Sequence, residues 1–179
     1  MRINALTIRN TSILGLFLTL LLISCNHNPK NAIAENTATT GNYAVEVNME
    51  GKVFQIKQED LEPNMKKIFK KDSIFLEFWE DGNPIRLNLN LTHTDILEQG
   101  TTSFQIPEDN SPRIKADLNF FNTERDVKRM NKRIIFRKGS IEIKKLTNNR
   151  LEMTFEGEGS GMMDRNNTFP ISGNIMVNY

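Results

Sequence analysis

Side chains able to support hydrolytic catalysis are scarce in this chain. It has two histidines, His27 and His93, and no Gly-x-Ser-x-Gly motif that would present a nucleophilic serine. His27 lies in a polar stretch that predicts no fixed geometry, and His93 follows a predicted strand, where a turn is equally expected. Because nucleophilic catalysis needs a base held beside the nucleophile, we predict no catalytic residue of this type.

Carboxylates form two acidic clusters that could support glycoside hydrolysis if the fold paired them. The clusters are Glu77, Glu80 and Asp81, and Glu152, Glu156 and Glu158. The second alternates with apolar residues, as expected of the solvent-facing side of a strand. Residues 164–167 offer oxygen ligands but lack the spaced carboxylates of a calcium loop, so a turn is expected there. We therefore predict no metal site and no cofactor.

A basic stretch is the most concentrated charged feature of the sequence. Its members are Arg125, Lys128, Arg129, Lys132 and Arg133. Two interpretations stay open: a contact surface for lipid headgroups, lipopolysaccharide phosphates or an acidic protein partner, or a solvated face whose long side chains cover apolar surface. The formal net charge of the whole chain is +1, which gives no electrostatic argument for a nucleic-acid partner.

The N-terminus has the layout of a secretory signal. Basic residues at 2 and 9 precede an apolar run over 13–23, which is too short to span a bilayer comfortably, since a transmembrane helix needs about 20 apolar residues. Leu22-Ile23-Ser24-Cys25 then matches the lipobox of bacterial lipoproteins, and Cys25 is the sole cysteine in the sequence. We predict that residues 1–24 are a lipoprotein signal peptide and that Cys25 carries a lipid anchor.

The segment after the anchor is expected to be a flexible tether. Residues 25–42 are rich in Asn, Thr and Ala, with too little apolar surface to form a core. Asn26 follows the cysteine where an aspartate is associated with inner-membrane retention, and no acidic cluster resembling a surface-export signal follows. The prediction is an outer-membrane lipoprotein that faces the periplasm.

From Tyr43 onward, alternating apolar and polar residues predict β-strands. In the segment 85–92, for example, Ile85, Leu87, Leu89 and Leu91 alternate with polar side chains. Strands are predicted over 43–49, 53–56, 73–79, 85–92, 101–106, 113–121, 134–137, 140–146, 150–157 and 168–179. Residues 43–179 should form a single all-β domain, mainly an antiparallel sandwich or barrel-like sheet, with one or two short helices.

Two short helices are predicted, over 58–71 from apolar spacing and over 123–131 from an apparent capping box at Thr123. The first of them bears on Phe75 and Trp79, which share the polar side of a predicted strand. If the helix covers them, they are structural. If it does not, the pair forms an open patch for a partner or a sugar.

The strand and turn pattern resembles that of small uncharacterised lipoproteins common in Bacteroidota. The lipobox and tether are followed by an opening hairpin at Met49–Phe54, and the chain closes with strands at Gly139–Ile143 and Ile171–Ile175. The resemblance implies a β-sandwich-like domain and an envelope location, and it brings no catalytic residues.

Together these features predict a non-catalytic binding or interaction module in the cell envelope, with an immunity-type inhibitor as one version. Its partners would be the membrane, through the lipid, and an envelope protein, glycan or lipid. The alternative is a carboxylate-dependent enzyme acting on an envelope glycan.

Overall fold

The computed structural model describes residues 43–62, 65–92, 100–108 and 115–179. The predicted signal peptide, Cys25, the tether, His93 and the start of the strand predicted over 113–121 lie outside the described residues. The elements are β1 (Tyr43–Met49), β2 (Lys52–Lys57), β3 (Lys66–Lys70), β4 (Ser73–Trp79), β5 (Ile85–Thr92), β6 (Thr102–Ile106), β7 (Ala116–Asn122), α1 (Arg129–Lys132), β8 (Arg133–Thr147), β9 (Arg150–Gly161) and β10 (Phe169–Asn178).

All ten strands belong to one antiparallel sheet, which curls into a half-barrel. Their order is β2-β1-β10-β9-β8-β7-β5-β4-β3, with β6 paired to a further stretch of β8. The predicted all-β fold with little helix is therefore confirmed. The segments predicted as separate strands over 134–137 and 140–146 are one strand, β8, interrupted by bulges.

The concave side of the sheet holds the core, because alternate residues of each strand point the same way. Leu87, Leu89 and Leu91 of β5 are fully buried, and the cross-strand neighbours Leu76 and Leu118 are buried beside them. The side chains between these residues on each strand face outward. The outward face of β4, β5 and β7 is where the candidate site lies.

The C-terminal residue ties together strands that are far apart in the sheet order. The Tyr179 ring lies 6.1 Å from the Phe78 ring of β4 and 6.3 Å from the Phe69 ring of β3, centroid to centroid. Its hydroxyl donates to the Thr147 carbonyl at 3.2 Å. Burial raises the pKa of the Tyr179 hydroxyl, because the phenolate would lose its hydration. Through these contacts, residues of β3, β4 and β8 pack around Tyr179, directly after β10.

The helix predicted over 58–71 is wrong. Residues 66–70 form the edge strand β3, which pairs with β4. Met65 and Phe69 both pack against the core, and a spacing of four residues places side chains on one face in a strand as well as in a helix. Pairing with β4 satisfies the backbone groups, and the lysines of β3 discourage pairing of this edge with another chain.

The helix predicted over 123–131 is also wrong at its start, since α1 begins at Arg129. Thr123 does not cap it: its backbone N–H and its hydroxyl both donate to the Pro84 carbonyl, at 3.0 and 3.4 Å. The Glu124 N–H donates to Asn122 Oδ1 at 2.9 Å, which continues a turn. In the described part of the chain, no helix is long and apolar enough to cross a membrane.

Candidate ligand-binding groove

A groove of about 570 Å³ lies on the outward face of β4, β5 and β7. The turn over 80–84, which joins β4 to β5, forms one part of its rim, and Arg129 of α1 with Arg133 at the start of β8, next to β7, forms another. Aromatic, amide and charged side chains line it. No helix of the described residues covers this face, and Phe75 and Trp79 belong to the lining. The sequence left open whether this pair is covered or forms an open patch, and the described residues show the open arrangement.

Strand register places the lining residues in rows across the sheet. The first row runs Trp79, Arg86, Phe121 and Arg133. The middle row runs Glu77, Asn88 and Asn119. The third row runs Phe75, Asn90 and Asp117, of which the first two line the groove. Residues directly opposite on antiparallel strands have neighbouring Cβ atoms, so each row is a continuous strip of side chains. Four strands therefore build one site.

Cations lie against the aromatic rings of the groove. The Arg86 guanidinium carbon is 5.1 Å from the centre of the Trp79 ring, and its Nη1 is 3.6 Å from Glu77 Oε1. The Lys66 ammonium is 5.2 Å from the centre of the Phe75 ring. Such cation–π contacts are favourable and restrict the rings to the orientation in which they line the groove.

The floor of the groove presents hydrogen-bonding capacity that the described residues leave unused. Asn119 is 2% exposed, and its amide donates to Asp117 Oδ2 at 3.3 Å, the oxygen that also accepts from Asn90 at 3.2 Å. Among the described residues, nothing donates to Asn119 Oδ1, and the Asn88 side chain makes no hydrogen bond. Buried polar atoms normally find partners, so these amides are suited to a polar ligand.

The rim formed by residues 80–84 is held in place by the Asn83 side chain. Asn83 Nδ2 donates to the Gln55 carbonyl of β2 at 3.1 Å and to Glu80 Oε2 at 2.9 Å. Its Oδ1 accepts from the Ile85 N–H at 3.0 Å. The rim is thereby fixed before any ligand arrives, which reduces the entropy lost on binding.

The basic stretch divides into members with internal partners and members that face solvent. Arg125 donates to both carboxylate oxygens of Glu50, at 2.8 and 2.9 Å, and its side chain is 13% exposed. Lys132 donates to the Thr123 carbonyl. Lys128 is exposed and outside the groove. Arg129 and Arg133 line the groove, so the structure brings two of the five predicted contact residues to the site.

Arg125 fastens the loop that follows β7 to the β1–β2 turn. Besides Glu50, it donates to the Asn131 carbonyl and lies over the Phe169 ring, 5.2 Å from its centre. We expect Arg125→Ala to lower the free energy of unfolding by about 1–3 kcal/mol, because Glu50 and a carbonyl lose a charged donor.

Urea denaturation of the full chain measures this effect. Lys128→Ala is the matched control, since the Lys128 side chain has no partner among the described residues, and its effect should stay within about 0.5 kcal/mol. Equal stability of the two variants would contradict the internal role of Arg125.

The predicted acidic clusters have different surroundings. Glu77 and Glu80 line the groove, together with Asp81. Glu156 and Glu158 are exposed on β9, away from it. Within the ranges that the structure describes, no three His, Cys, Asp or Glu side chains are placed to hold a metal ion. The segment 164–167 is a turn, in which Asn167 donates to Asp164 at 2.7 Å.

Arg137 supports the side of the site near Asp117. It donates to Ser160 Oγ at 3.2 Å and to the Met162 carbonyl at 3.1 Å. Desolvation lowers the pKa of the guanidinium most, nearby Arg165 lowers it further, and Asp117 raises it. Arginine stays charged despite such shifts, so Arg137 acts as a fixed positive charge beside the third row.

Sequence reasoning missed Asn88, Asn119 and Phe121 as members of the site. Each occupies a polar or outward position of an alternating strand, which is equally typical of an ordinary solvent-facing side. The residue types give a weak signal in hindsight, because asparagine is depleted in strands. No protein family, curated protein or solved structure was found to match this chain.

Proposed function

We propose that the protein is a lipid-anchored, non-catalytic binding protein of the bacterial cell envelope, and that the groove on β4, β5 and β7 holds its ligand. The nearly buried Asn119 with an unused Oδ1 at the groove floor is the observation that carries the proposal. The groove volume of about 570 Å³ also lies within the range of small-molecule sites, about 300–1,000 Å³.

The lining favours an oligosaccharide as the ligand. Each asparagine amide offers both donors and an acceptor, and each sugar hydroxyl can donate and accept in return. The rings of Trp79 and Phe121 stand in the row beside the amides, where they offer apolar surface to the C–H face of a sugar ring. An alternation of aromatic and planar polar side chains suits a ligand that is itself amphipathic.

The anchor would hold this domain at the membrane. The lipobox at Cys25 supports lipidation, and the lack of an aspartate or an acidic cluster directly after it supports retention at the periplasmic face of the outer membrane. Two or three acyl chains suffice for stable attachment, whereas one gives marginal binding. The resemblance to small Bacteroidota lipoproteins supports the same location.

The alternative, a carboxylate-dependent enzyme, is favoured by one observation: Glu77 and Glu80 line the same groove. Glu77 is engaged by Arg86, and Glu80 accepts a hydrogen bond from Asn83. Both carboxylates therefore already have partners within the protein. These contacts support the binding proposal over the enzymatic one.

The test compares Asn88→Ala with Asn174→Ala, using the lipidated full chain in detergent micelles and a panel of envelope oligosaccharides. The Asn88 side chain makes no hydrogen bond among the described residues, so the variant should fold normally. Loss of its bonds to a ligand should weaken binding about tenfold, which corresponds to about 1.4 kcal/mol.

Asn174 is the matched control because it is exposed on the outward face of β10, outside the groove. Its variant should bind like the wild type. Equal affinities for both variants, or no binding by the wild type, would refute the proposed function. Recovery of shortened oligosaccharides after incubation would favour the enzyme instead.

A further inference from the structure

We infer that the ligand of the groove carries a negatively charged substituent, bound by Arg129 and Arg133, and is therefore an acidic oligosaccharide. This inference rests on the proposed function and adds to it the chemical class of the ligand. It comes from the distribution of charged side chains around the groove.

Arg129 and Arg133 have no ion pair or side-chain hydrogen bond within the described ranges. Most other arginines of those ranges do have one: Arg86 with Glu77, Arg125 with Glu50, Arg137 with Ser160, and Arg150 with Glu152. Arg165 is the remaining one, and it lies in an exposed turn outside the groove. The two unpaired arginines, which line the groove together with the floor amides, are thus available to a ligand.

The charges of the groove are also separated by side. Glu80 and Asp81 stand on the rim formed by residues 80–84, beside the β4 end of the first row, whereas Arg133, with Arg129 four residues before it, forms the second rim at the β8 end of that row. Arg86, between them, is engaged by Glu77. An anionic substituent would be repelled at the first rim and attracted at the second, so the charges would also fix the orientation of the ligand.

Guanidinium groups suit this task because their planar donors bind carboxylates and phosphates in pairs. Arg133 is the cross-strand neighbour of Phe121. A sugar ring placed against Phe121 would therefore bring an acidic substituent of the ring within reach of Arg133. Arg129, four residues earlier at the start of α1, supplies a second positive charge on the same rim.

The test uses sets of oligosaccharides with identical linkage, each set containing a hexose, its hexuronate and its 6-phosphate. The lipidated full chain should bind an anionic member at least tenfold more tightly than the hexose. In the double variant R129Q/R133Q this preference should fall below threefold, whereas Arg165→Gln should retain it. If the double variant binds the hexuronate more weakly than the wild type does, the recognised group is a carboxylate. If it binds the 6-phosphate more weakly, the recognised group is a phosphate. Added salt should reduce the preference, since it screens exposed charges.

The outcomes separate this inference from the proposed function. Equal affinity for hexose and anionic members, or a preference that survives R129Q/R133Q, would overturn the inference. If Asn88→Ala still weakens hexose binding in that case, the groove remains the ligand site. Absence of binding to every member of the sets would overturn both.

Discussion

Replacing Gly157 by alanine is expected to lower the free energy of unfolding by about 4 kcal/mol or more, an exceptional value for one added methyl group. A Cβ at this position would lie 1.9 Å from the Lys138 carbonyl oxygen and 2.7 Å from the Gly139 Cα. Both are backbone atoms, so no side-chain rearrangement relieves the overlap. Domains of this size are stable by about 5–15 kcal/mol, and much of that margin would be lost.

The reason lies in the bend of the central hairpin. Gly157 of β9 is opposite Gly139 of β8, whose φ is +139°, and a bulge precedes Gly139 on the same strand. Near this point β8 passes from pairing with β7 to pairing with β6. Close approach of two backbones requires glycine, and this approach allows the sheet to curl over its core.

Thermal unfolding followed by circular dichroism checks the prediction, with Gly100→Ala as the control. Apart from Gly100 itself and its two chain neighbours, no atom of the described residues lies within 4 Å of a Cβ built on Gly100, so that variant should unfold within a few degrees of the wild type. A Gly157→Ala protein with the same transition as the control would show that the two strands can separate at little cost.

The second large effect is expected at Cys25. Wild-type protein should incorporate labelled palmitate and yield an N-terminal peptide that begins at Cys25 and carries acyl chains, whereas Cys25→Ala should do neither. The thioether to the lipid can form at no other position, because the sequence has one cysteine. Each buried methylene contributes about 0.8 kcal/mol to membrane binding, so the acyl chains dominate attachment.

His27→Ala is the matched control, since it changes a tether residue two positions away and should be labelled like the wild type. Label in the Cys25→Ala protein, or a wild-type protein that keeps the mass of the unprocessed chain, would contradict the lipoprotein assignment.

The strands could be predicted from the sequence because their periodicity is local. The four apolar residues of β5 that alternate with polar ones all face the core, and the hairpin expected at Met49–Phe54 turns at Glu50 and Gly51. Both turn residues Glu50 and Gly51 have positive φ, the conformation that a two-residue hairpin requires.

The groove could not be predicted, because it depends on which strands become neighbours. β5 pairs with β7, and Phe121 meets Arg133 only through the β7–β8 register. Alternation determines which side a residue faces but not its partner on the next strand. The error over 58–71 had a further consequence, since a helix there would have covered Phe75 and Trp79.

Which residues of the basic stretch reach the groove could not be predicted from the sequence either. Its five side chains look equivalent in the sequence, yet Arg125 is bound to Glu50, more than seventy residues away along the chain, while Arg129 and Arg133 reach the groove. Contacts between residues far apart in the sequence determine which basic side chains have partners within the protein. These contacts cannot be inferred from the composition of the stretch.

The central claim, that the groove binds the ligand, is tested most directly by NMR titration of the isotope-labelled full chain in micelles with the tightest-binding oligosaccharide of the panel. We predict that the side-chain amide resonances of Asn88 and Asn119 shift with increasing ligand, while that of Asn174 stays in place. Unchanged Asn88 and Asn119 resonances at saturating ligand, with shifts elsewhere on the sheet, would contradict the claim.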